Sequence, residues 1–279
     1  MRMFEELKPI KRSKQRAFFG KKYHVYKRYL NWYLGTATFS KEIREESLKY
    51  LITTHQSPLY RVLKDVDMWM QDNKVINLEI ALKAINGIVI KPGETFSYWK
   101  LIGRPNKTKG YVPGMVLHYG KFKPGIGGGL CQLSNLIFWM TLHSPLTVVE
   151  RHRHGFDVFP DSNRTQPFGS GATCVYNYRD LQITNETEEA YQIKLHMTED
   201  HLVGQITSEK EKCFKYEIYE HDHEILMSSW GSYIRHNEIH RKVFNMEGFM
   251  LYDEFICENN ALMMYEPLLT YEIKKEQGV

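Results

Sequence analysis

The sequence contains a cysteine that is separated by one leucine from a run of three glycines. Cys131 comes after the triplet Gly127–Gly129 and lies at the start of the apolar run Leu130–Leu142. Three consecutive glycines lose conformational entropy on ordering, so they mark a place where the backbone turns tightly or approaches another group closely. The apolar run indicates a buried helix, with Cys131 in its first turn. Helix N-termini favour negative charge, so we expect a thiol that ionises readily and acts as a nucleophile.

A nucleophilic thiol needs a base, and two histidines follow on the next predicted strand. The segment Thr147–Phe159 alternates like a strand, which would place His152 and His154 on one face. We predict that His154 takes the proton from Cys131. A helix start followed by a strand that carries histidine is the arrangement of papain-like and transglutaminase-like cysteine enzymes.

Two further roles complete the predicted catalytic site. The side chain of Gln132 and the N–H groups of the glycine loop would stabilise the oxyanion that forms during acyl transfer. An acidic residue would orient the imidazole, and Asp180 and Asp157 both compete for that role. The predicted chemistry is therefore acyl transfer or amide hydrolysis on a small-molecule or peptide substrate.

The same segment also fits a binding module without catalysis. Cysteine is among the most buried residue types, so Cys131 could simply pack in the core. The glycines would then form a groove in which Arg151 and Arg153 hold an anionic ligand. The predicted ligand-binding residues are Gly127, Gly128, Gly129, Ser134, Arg151 and His152.

Metal and cofactor sites receive less support from the sequence. His152 and His154 could bind a metal with Cys131 or His118 as a third ligand, but the adjacent arginines disfavour a cation. The glycine loop lacks the Lys-Ser/Thr pair of a P-loop and the GxGxxG spacing of a dinucleotide site. We therefore predict no metal and no cofactor.

The elements that must position these residues predict an α+β fold. Helical patterns dominate the first third, with helices expected around Tyr23–Leu34, after Ser40, and over 59–70 and 77–86. From Gly87 onward the sequence predicts an antiparallel sheet, with strands that include Thr173–Tyr178 and Tyr191–Met197, packed around a central helix that begins at Cys131. We expect a basic, mainly helical region at 1–86, an α+β core at 87–207 and an extension at 208–279 that packs on the core.

The charge distribution and the cysteine content limit the cellular location and the classes of partner that we expect. The 279 residues carry a net charge of +4, yet the first thirty hold ten Lys or Arg against two Glu, so the positive charge is local. We interpret this basic segment first as a packed helix with a solvated face. It also allows a peripheral contact with a membrane surface, and it contains no recognised nucleic-acid-binding motif. The four cysteines show no CxxC spacing, and no signal peptide or membrane span is recognisable, so we expect a cytoplasmic location.

These motifs resemble the VanW family, found among accessory proteins of glycopeptide (vancomycin-type) resistance clusters. The resemblance covers roughly residues 91–205, continues more loosely to 266, and suits the shorter cytoplasmic branch of the family. The matching segments are Lys91–Ser97, Gly127–Ser134, Glu150–His154, Asp180-Leu181 and Asn185.

The resemblance implies a link to cell-wall (peptidoglycan precursor) metabolism and carries the family pattern onto five residues. Those residues are Cys131, Gln132, Arg151, His154 and Asp180. Many longer members have a Gly-x-Asp-Ala-Thr element, whereas this chain has Gly-Ser-Gly-Ala-Thr at 169–173. If the missing aspartate takes part in catalysis elsewhere, its absence argues against the same chemistry here.

Overall fold

The computed structural model describes residues 13–60, 67–118, 120–158, 166–228 and 230–267. Within these ranges the α-helices are α1 (Lys14–Leu34), α2 (Trp69–Ile85), α3 (Tyr98–Ile102) and α4 (Cys131–Leu142), and Lys107–Lys109 forms a 3₁₀ turn. The first nine strands are β1 (Thr38–Phe39), β2 (Tyr50–Pro58), β3 (Ile88–Ile90), β4 (Glu94–Ser97), β5 (Pro113–His118), β6 (Lys121–Ile126), β7 (Thr147–Glu150), β8 (Phe156–Asp157) and β9 (Gln182–Thr184). The remaining strands are β10 (Tyr191–Met197), β11 (His201–Ser208), β12 (Phe214–Met227), β13 (Tyr233–Asn245) and β14 (Met250–Met263).

The described strands form several small sheets. Three of these sheets have four strands, in the orders β1-β4-β9-β7, β2-β11-β10-β3 and β12-β13-β14-β8, and β5 pairs with β6. The pairings are antiparallel except for β1 with β4 and β14 with β8. The mixed α+β class expected from the sequence is therefore correct, although the sheet is divided rather than single.

Helix α4 lies in the middle of the core, as its apolar sequence predicted. Leu133, Ile137 and Phe138 are fully buried within it. Its face meets β11 at Gly204, where an added Cβ would lie 2.6 Å from the Met140 side chain. This packing holds α4 rigidly, which fixes the position of Cys131 at its first residue.

The helical prediction for the N-terminal third is only partly correct. Tyr23–Leu34 lies inside α1 and 77–85 lies inside α2, whereas the helix expected after Ser40 is wrong. Tyr50–Pro58 is the strand β2, which pairs with β11 along its length. The β-branched run of Ile52 with its two threonines favours extended structure, and this pairing overrides the cap-like Ser40. Part of the helix expected over 59–70 lies outside the described residues, at 61–66.

Two of the strands expected from the sequence are also wrong. The strand expected over Thr147–Phe159 is broken into β7 and β8, so residues 151–154 are not in a strand. Thr173–Tyr178 forms no strand either, and only an isolated bridge joins Val175 to Arg179. None of the described helices is both long enough and apolar enough to span a membrane.

Candidate functional site

The glycine triplet is explained by close packing. An added Cβ on Gly128 would lie 2.1 Å from the carbonyl carbon of Gly114, and one on Gly129 would lie 2.3 Å from Lys74. Gly127 and Gly129 also have positive φ, at 73° and 90°. Asn77 on α2 completes the loop's packing by donating to the Gly128 carbonyl at 2.9 Å. The left-handed backbone at two of these positions and the backbone contact at the third each require glycine, whether or not a ligand is present.

The N–H groups of this loop are engaged within the protein. Those of Gly127, Gly128 and Gly129 donate to the carbonyls of Val112, Gly125 and Met115. The Gln132 side chain donates at 2.8 Å to both the Ser57 hydroxyl and the Pro58 carbonyl, at the end of β2. These contacts give Gln132 and the glycines an anchoring role in this structure, not the arrangement expected of oxyanion donors.

Cys131 is the first residue of α4 and is partly accessible to solvent. Its Sγ lies 3.8 Å from the carbonyl oxygen of Cys174, to which the thiol donates. Burial raises the pKa of Cys131, and a hydrogen bond with the backbone of Cys174 acts in the opposite direction. Desolvation of the thiolate therefore acts against the acidic thiol that is expected at a helix start.

The segment that faces Cys131 is held by α4 itself. The hydroxyl of Ser134 donates to the Ala172 carbonyl at 2.7 Å, and the Asn135 side chain accepts from the Ala172 N–H at 2.8 Å. Ser134 is fully buried, so its predicted contact with a ligand is replaced by this structural one. Next along the chain, Thr173 donates its N–H to the carbonyl of His152 at 2.7 Å.

His152 belongs to an imidazole–carboxylate pair with Glu150. The two side chains meet at 2.9 Å between Nε2 and Oε1. Burial alone would raise the pKa of Glu150, but hydrogen bonds from His152 and Arg28 outweigh it and hold the pKa below its ordinary value. A carboxylate accepts only, so Nε2 of His152 carries the proton and Nδ1 is left as a potential base.

His154 lies in a different electrostatic setting. Burial, together with the charges of Arg179 and Arg153, lowers the pKa of His154 to about 4. Among the described residues, none makes a hydrogen bond or an ion pair with the His154 ring. The structure therefore does not join His154 to Cys131 or to Asp180, as the strand prediction had required.

Both candidate acids have other partners. The fully buried Asp180 accepts from the Ser97 hydroxyl at 2.5 Å and from the Trp99 N–H at 2.9 Å, so it secures the start of α3. Burial raises the pKa of Asp180 to about 6, against these hydrogen bonds. Asp157 accepts from Tyr265 at 2.9 Å and lies 3.6 Å from Arg235. Neither acid orients a histidine.

The predicted anion-binding arginines lie against aromatic rings. Arg151 donates to the carbonyls of Gly169 and Gly171, and its guanidinium carbon lies 5.1 Å above the Phe138 ring. Among the described residues, Arg151 has no carboxylate partner. Burial consequently lowers its pKa. Arg153 lies 3.7 Å above the ring of Phe168. The side chain of His118, a suggested metal ligand, lies outside the described part.

Two residues of this cluster were missed from the sequence. Glu150 stands two residues before His152, a spacing that could have suggested the pair. Arg28, which also bonds to Glu150, comes from a helix 122 positions earlier in the chain, so local spacing gives no signal for it. The structure therefore connects Cys131, through the neighbouring residues Cys174 and Thr173, to the backbone of His152, and Glu150 meets both the His152 ring and Arg28.

Comparisons with known proteins agree with the motifs. A family model described as "VanW like protein" matches residues 73–207. The chain is 37% identical over 195 residues to the "Vancomycin B-type resistance protein VanW" of Enterococcus faecalis (strain ATCC 700802 / V583), covering 70% of this chain and 71% of that protein. It is 29% identical over 121 residues to the uncharacterized protein YoaR of Bacillus subtilis (strain 168), covering 42% of this chain and 37% of that protein. No solved structure matches. By the identity and coverage of the enterococcal relative, the chain belongs to the VanW family.

Proposed function

We propose that this protein is a cysteine-dependent acyl transferase or amidohydrolase that acts on a peptidoglycan precursor in glycopeptide resistance. The observation that carries the proposal is the half-buried residue Cys131 at the start of a packed helix, whose thiol donates to the Cys174 carbonyl beside the segment that pairs with the His152 backbone. The name of the enterococcal relative supports the link to vancomycin resistance. The substrate class is a short peptide with D-amino acids, as such precursors contain.

The proposed base is His152, with Glu150 as the residue that orients it. A thiol whose pKa is raised is not a ready thiolate, so its proton has to leave as the sulfur attacks. The Cys131 proton passes to Nδ1 of His152 while Sγ bonds to the substrate's carbonyl carbon. The amide C–N bond then breaks, and the amine leaves with that proton. Water or an amino acceptor cleaves the resulting thioester.

The test is turnover of an N-acyl-Lys-D-Ala-D-Ala tripeptide, followed as release of D-alanine and as an acyl adduct in the intact protein mass. We expect Cys131→Ala to abolish release and His152→Ala to lower it by about 10²–10⁴-fold, the usual contribution of a general base. Cys174→Ala is the matched control, because that buried thiol is not the proposed nucleophile. Full activity in Cys131→Ala would overturn the mechanism.

A second candidate is a binding module without catalysis, and the arginines favour it. Arg151 is a half-buried cation whose side-chain partners among the described residues are carbonyls and a ring, so an anionic group would complete its environment. The pKa of His154, lowered by burial and by the charges of Arg179 and Arg153, also reflects a positive local potential. A peptide's terminal carboxylate fits such a site.

Calorimetric titration with the same tripeptide separates the two candidates. A binding module binds it equally well in the unmodified chain and in Cys131→Ala, and forms no acyl adduct in either. Binding weakened in Arg151→Lys, which keeps the charge but loses the planar fork, would assign the carboxylate to that residue. An adduct on Cys131 would exclude a purely binding role.

We also propose that α1 contacts an anionic membrane surface. Phe19, Tyr23, Tyr26, Leu30 and Tyr33 recur at helical spacing and are all exposed. Exposed lysines flank this stripe, whereas the opposite side of α1 buries Trp32 against the core. An apolar stripe beside basic side chains on a surface helix suits the boundary between headgroups and acyl chains.

A further inference from the structure

We infer that the β12–β13 hairpin binds one Zn²⁺ ion through His221, Glu238 and His240. One ligand atom from each of these residues lies within 4.8 Å of the others. The site is outside the 73–207 segment that defines the family match. It is also separate from the cluster around Cys131.

The strand register explains why the three side chains converge. His221 on β12 stands opposite Glu238 on β13, and Tyr219 stands opposite His240. Residues two apart on a strand share a face, so Glu238 and His240 project together towards His221. The pairing shifts immediately after His221, where Asp222 has a φ of 47°. This irregularity re-aims side chains locally, as bulges next to functional sites do.

The distances are close to those that zinc requires. Nε2 of His240 lies 3.2 Å from Oε2 of Glu238, and Nδ1 of His221 lies 3.8 Å from the same oxygen. In a tetrahedral site with bonds of about 2.0–2.2 Å, ligand atoms are separated by roughly 3.3 Å. Small side-chain rotations would therefore bring the three donors onto one ion.

The neighbours of the cluster supply the outer contacts of a metal site. Oδ1 of Asp253 lies 3.9 Å from Nδ1 of His240, on the far side of the ring from Glu238. Tyr219 in turn donates to Oδ2 of Asp253 at 2.6 Å. A histidine that binds metal through one nitrogen commonly donates the other to a carboxylate, which fixes the ring and its tautomer. Asp253 lies on the correct side of the ring for that contact, and the ring has to turn towards it to shorten the 3.9 Å separation to a hydrogen bond.

Burial and ligand type narrow the choice of ion. The side chains of Glu238 and His240 are 12% and 20% exposed, whereas His221 is 51% exposed, so the site opens to solvent on one side. Two imidazoles and one carboxylate are ligands that zinc accepts, and three protein ligands leave a fourth position for water or a substrate atom. Calcium and magnesium prefer sets made only of oxygens.

The test is calorimetric titration of ZnCl₂ into the untagged, EDTA-treated full chain. We expect one equivalent to bind, with affinity weakened about tenfold or more in Asp253→Asn, as for loss of an outer contact. Glu238→Gln and His240→Ala should weaken it further than Asp253→Asn does. His196→Ala, an exposed histidine on β10, is the matched control and should leave binding unchanged. Absence of stoichiometric binding, or an affinity in His221→Ala and His240→Ala that equals that of the unmodified chain, would overturn the assignment.

A second measurement on the unmodified chain avoids any dependence on how the variants fold. Diethyl pyrocarbonate modifies accessible histidines, and peptide mass spectrometry locates each modified residue. Zn²⁺ should slow modification of His221 and His240 while His196 reacts at the same rate with and without the ion. Unchanged modification of His221 and His240 in saturating Zn²⁺ would overturn the assignment.

Discussion

At the scale of residues, the site around Cys131 depends on which of two nearby histidines has a carboxylate. His152 has Glu150 at 2.9 Å, whereas the pKa of His154 is lowered to about 4 by burial and by two arginine charges. From the sequence we predicted Cys131 with His154 as its base, because regular strand alternation puts both histidine rings on one face. The observed pairing of His152 with Glu150 depends instead on the break between β7 and β8 and on Arg28. Neither of these features has a local signature in the sequence.

The buried carboxyl of Asp180 gives a stability prediction with a defined sign. Burial raises the folded pKa to about 6 from an ordinary 3.8, so the folded state binds this proton more tightly than the unfolded state does. Stability from this group is therefore present at low pH and declines between about pH 4 and pH 6, by about 3 kcal/mol in total.

Asp180→Asn imitates the protonated form and keeps acceptors for Trp99 and Leu181. We expect this variant to lose most of that decline when the free energy of unfolding is measured by urea titration across pH 4–7. The exposed Asp72→Asn should retain the decline of the unmodified chain. An Asp180→Asn profile that falls as steeply as the original would refute the raised pKa.

At the scale of elements, the pattern of apolar residues predicted the bounds of helices and strands best where one face or the whole element is buried. The start of α4 was expected within one residue, and β10 has the expected bounds Tyr191–Met197. Prediction failed for β2, where Ser40 and two glutamates imitate a helix start. Its true structure depends on pairing with β11, some 150 residues away, and a local pattern cannot encode such a partner.

The glycine loop before α4 yields an element-scale prediction. Gly128→Ala would force a Cβ against the Gly114 backbone at 2.1 Å, and backbone atoms cannot rotate away. We expect a loss of about 3 kcal/mol or more in the free energy of unfolding, within the range of severe core substitutions. Gly155→Ala, whose new Cβ meets nothing within 4 Å, should change stability by less than about 0.5 kcal/mol. Equal stability of the two variants would contradict the packing explanation.

The exposed face of α1 gives a second element-scale prediction. The unmodified chain should sediment with vesicles of phosphatidylglycerol and should bind phosphatidylcholine vesicles far more weakly, because lysines accompany the apolar stripe. Phe19→Ser and Tyr23→Ser change exposed side chains, so they should weaken binding without altering the thermal unfolding temperature. Glu45→Gln, an exposed change outside α1, serves as the control. Vesicle binding that survives both substitutions would show that this stripe is not the membrane-binding surface.

At the scale of the whole molecule, one ion pair joins the N-terminal helix to the candidate site. Arg28 donates to Glu150 and, at 3.1 Å, to the carbonyl of Asn177, and the side chains of the pair are 10% and 20% exposed. Tyr29 adds a hydrogen bond to Tyr176 at 2.7 Å. Helix α1 is therefore part of the structure that positions His152, although its sequence suggested a separate basic region.

Removing the cation of that pair should lower stability. Arg28→Met keeps an apolar stem but leaves Glu150 with fewer donors, so we expect a loss of about 2 kcal/mol in the free energy of unfolding. Urea titration would measure it, with the exposed Lys27→Met as the matched control. A variant as stable as the control would show that α1 is not held by this contact.

The most direct test of the proposed site is the rate of Cys131 alkylation by iodoacetamide against pH, in the unmodified chain, His152→Ala and His154→Ala. Peptide mass spectrometry distinguishes Cys131 from the other three thiols. Because burial raises the pKa of Cys131, its rate should climb at a pH above the ~8.5 of a free thiol. At neutral pH, His152→Ala should slow the reaction at least about tenfold, and His154→Ala by less than about twofold. An unchanged rate in His152→Ala, or an equal loss in both variants, would contradict the pairing of Cys131 with His152.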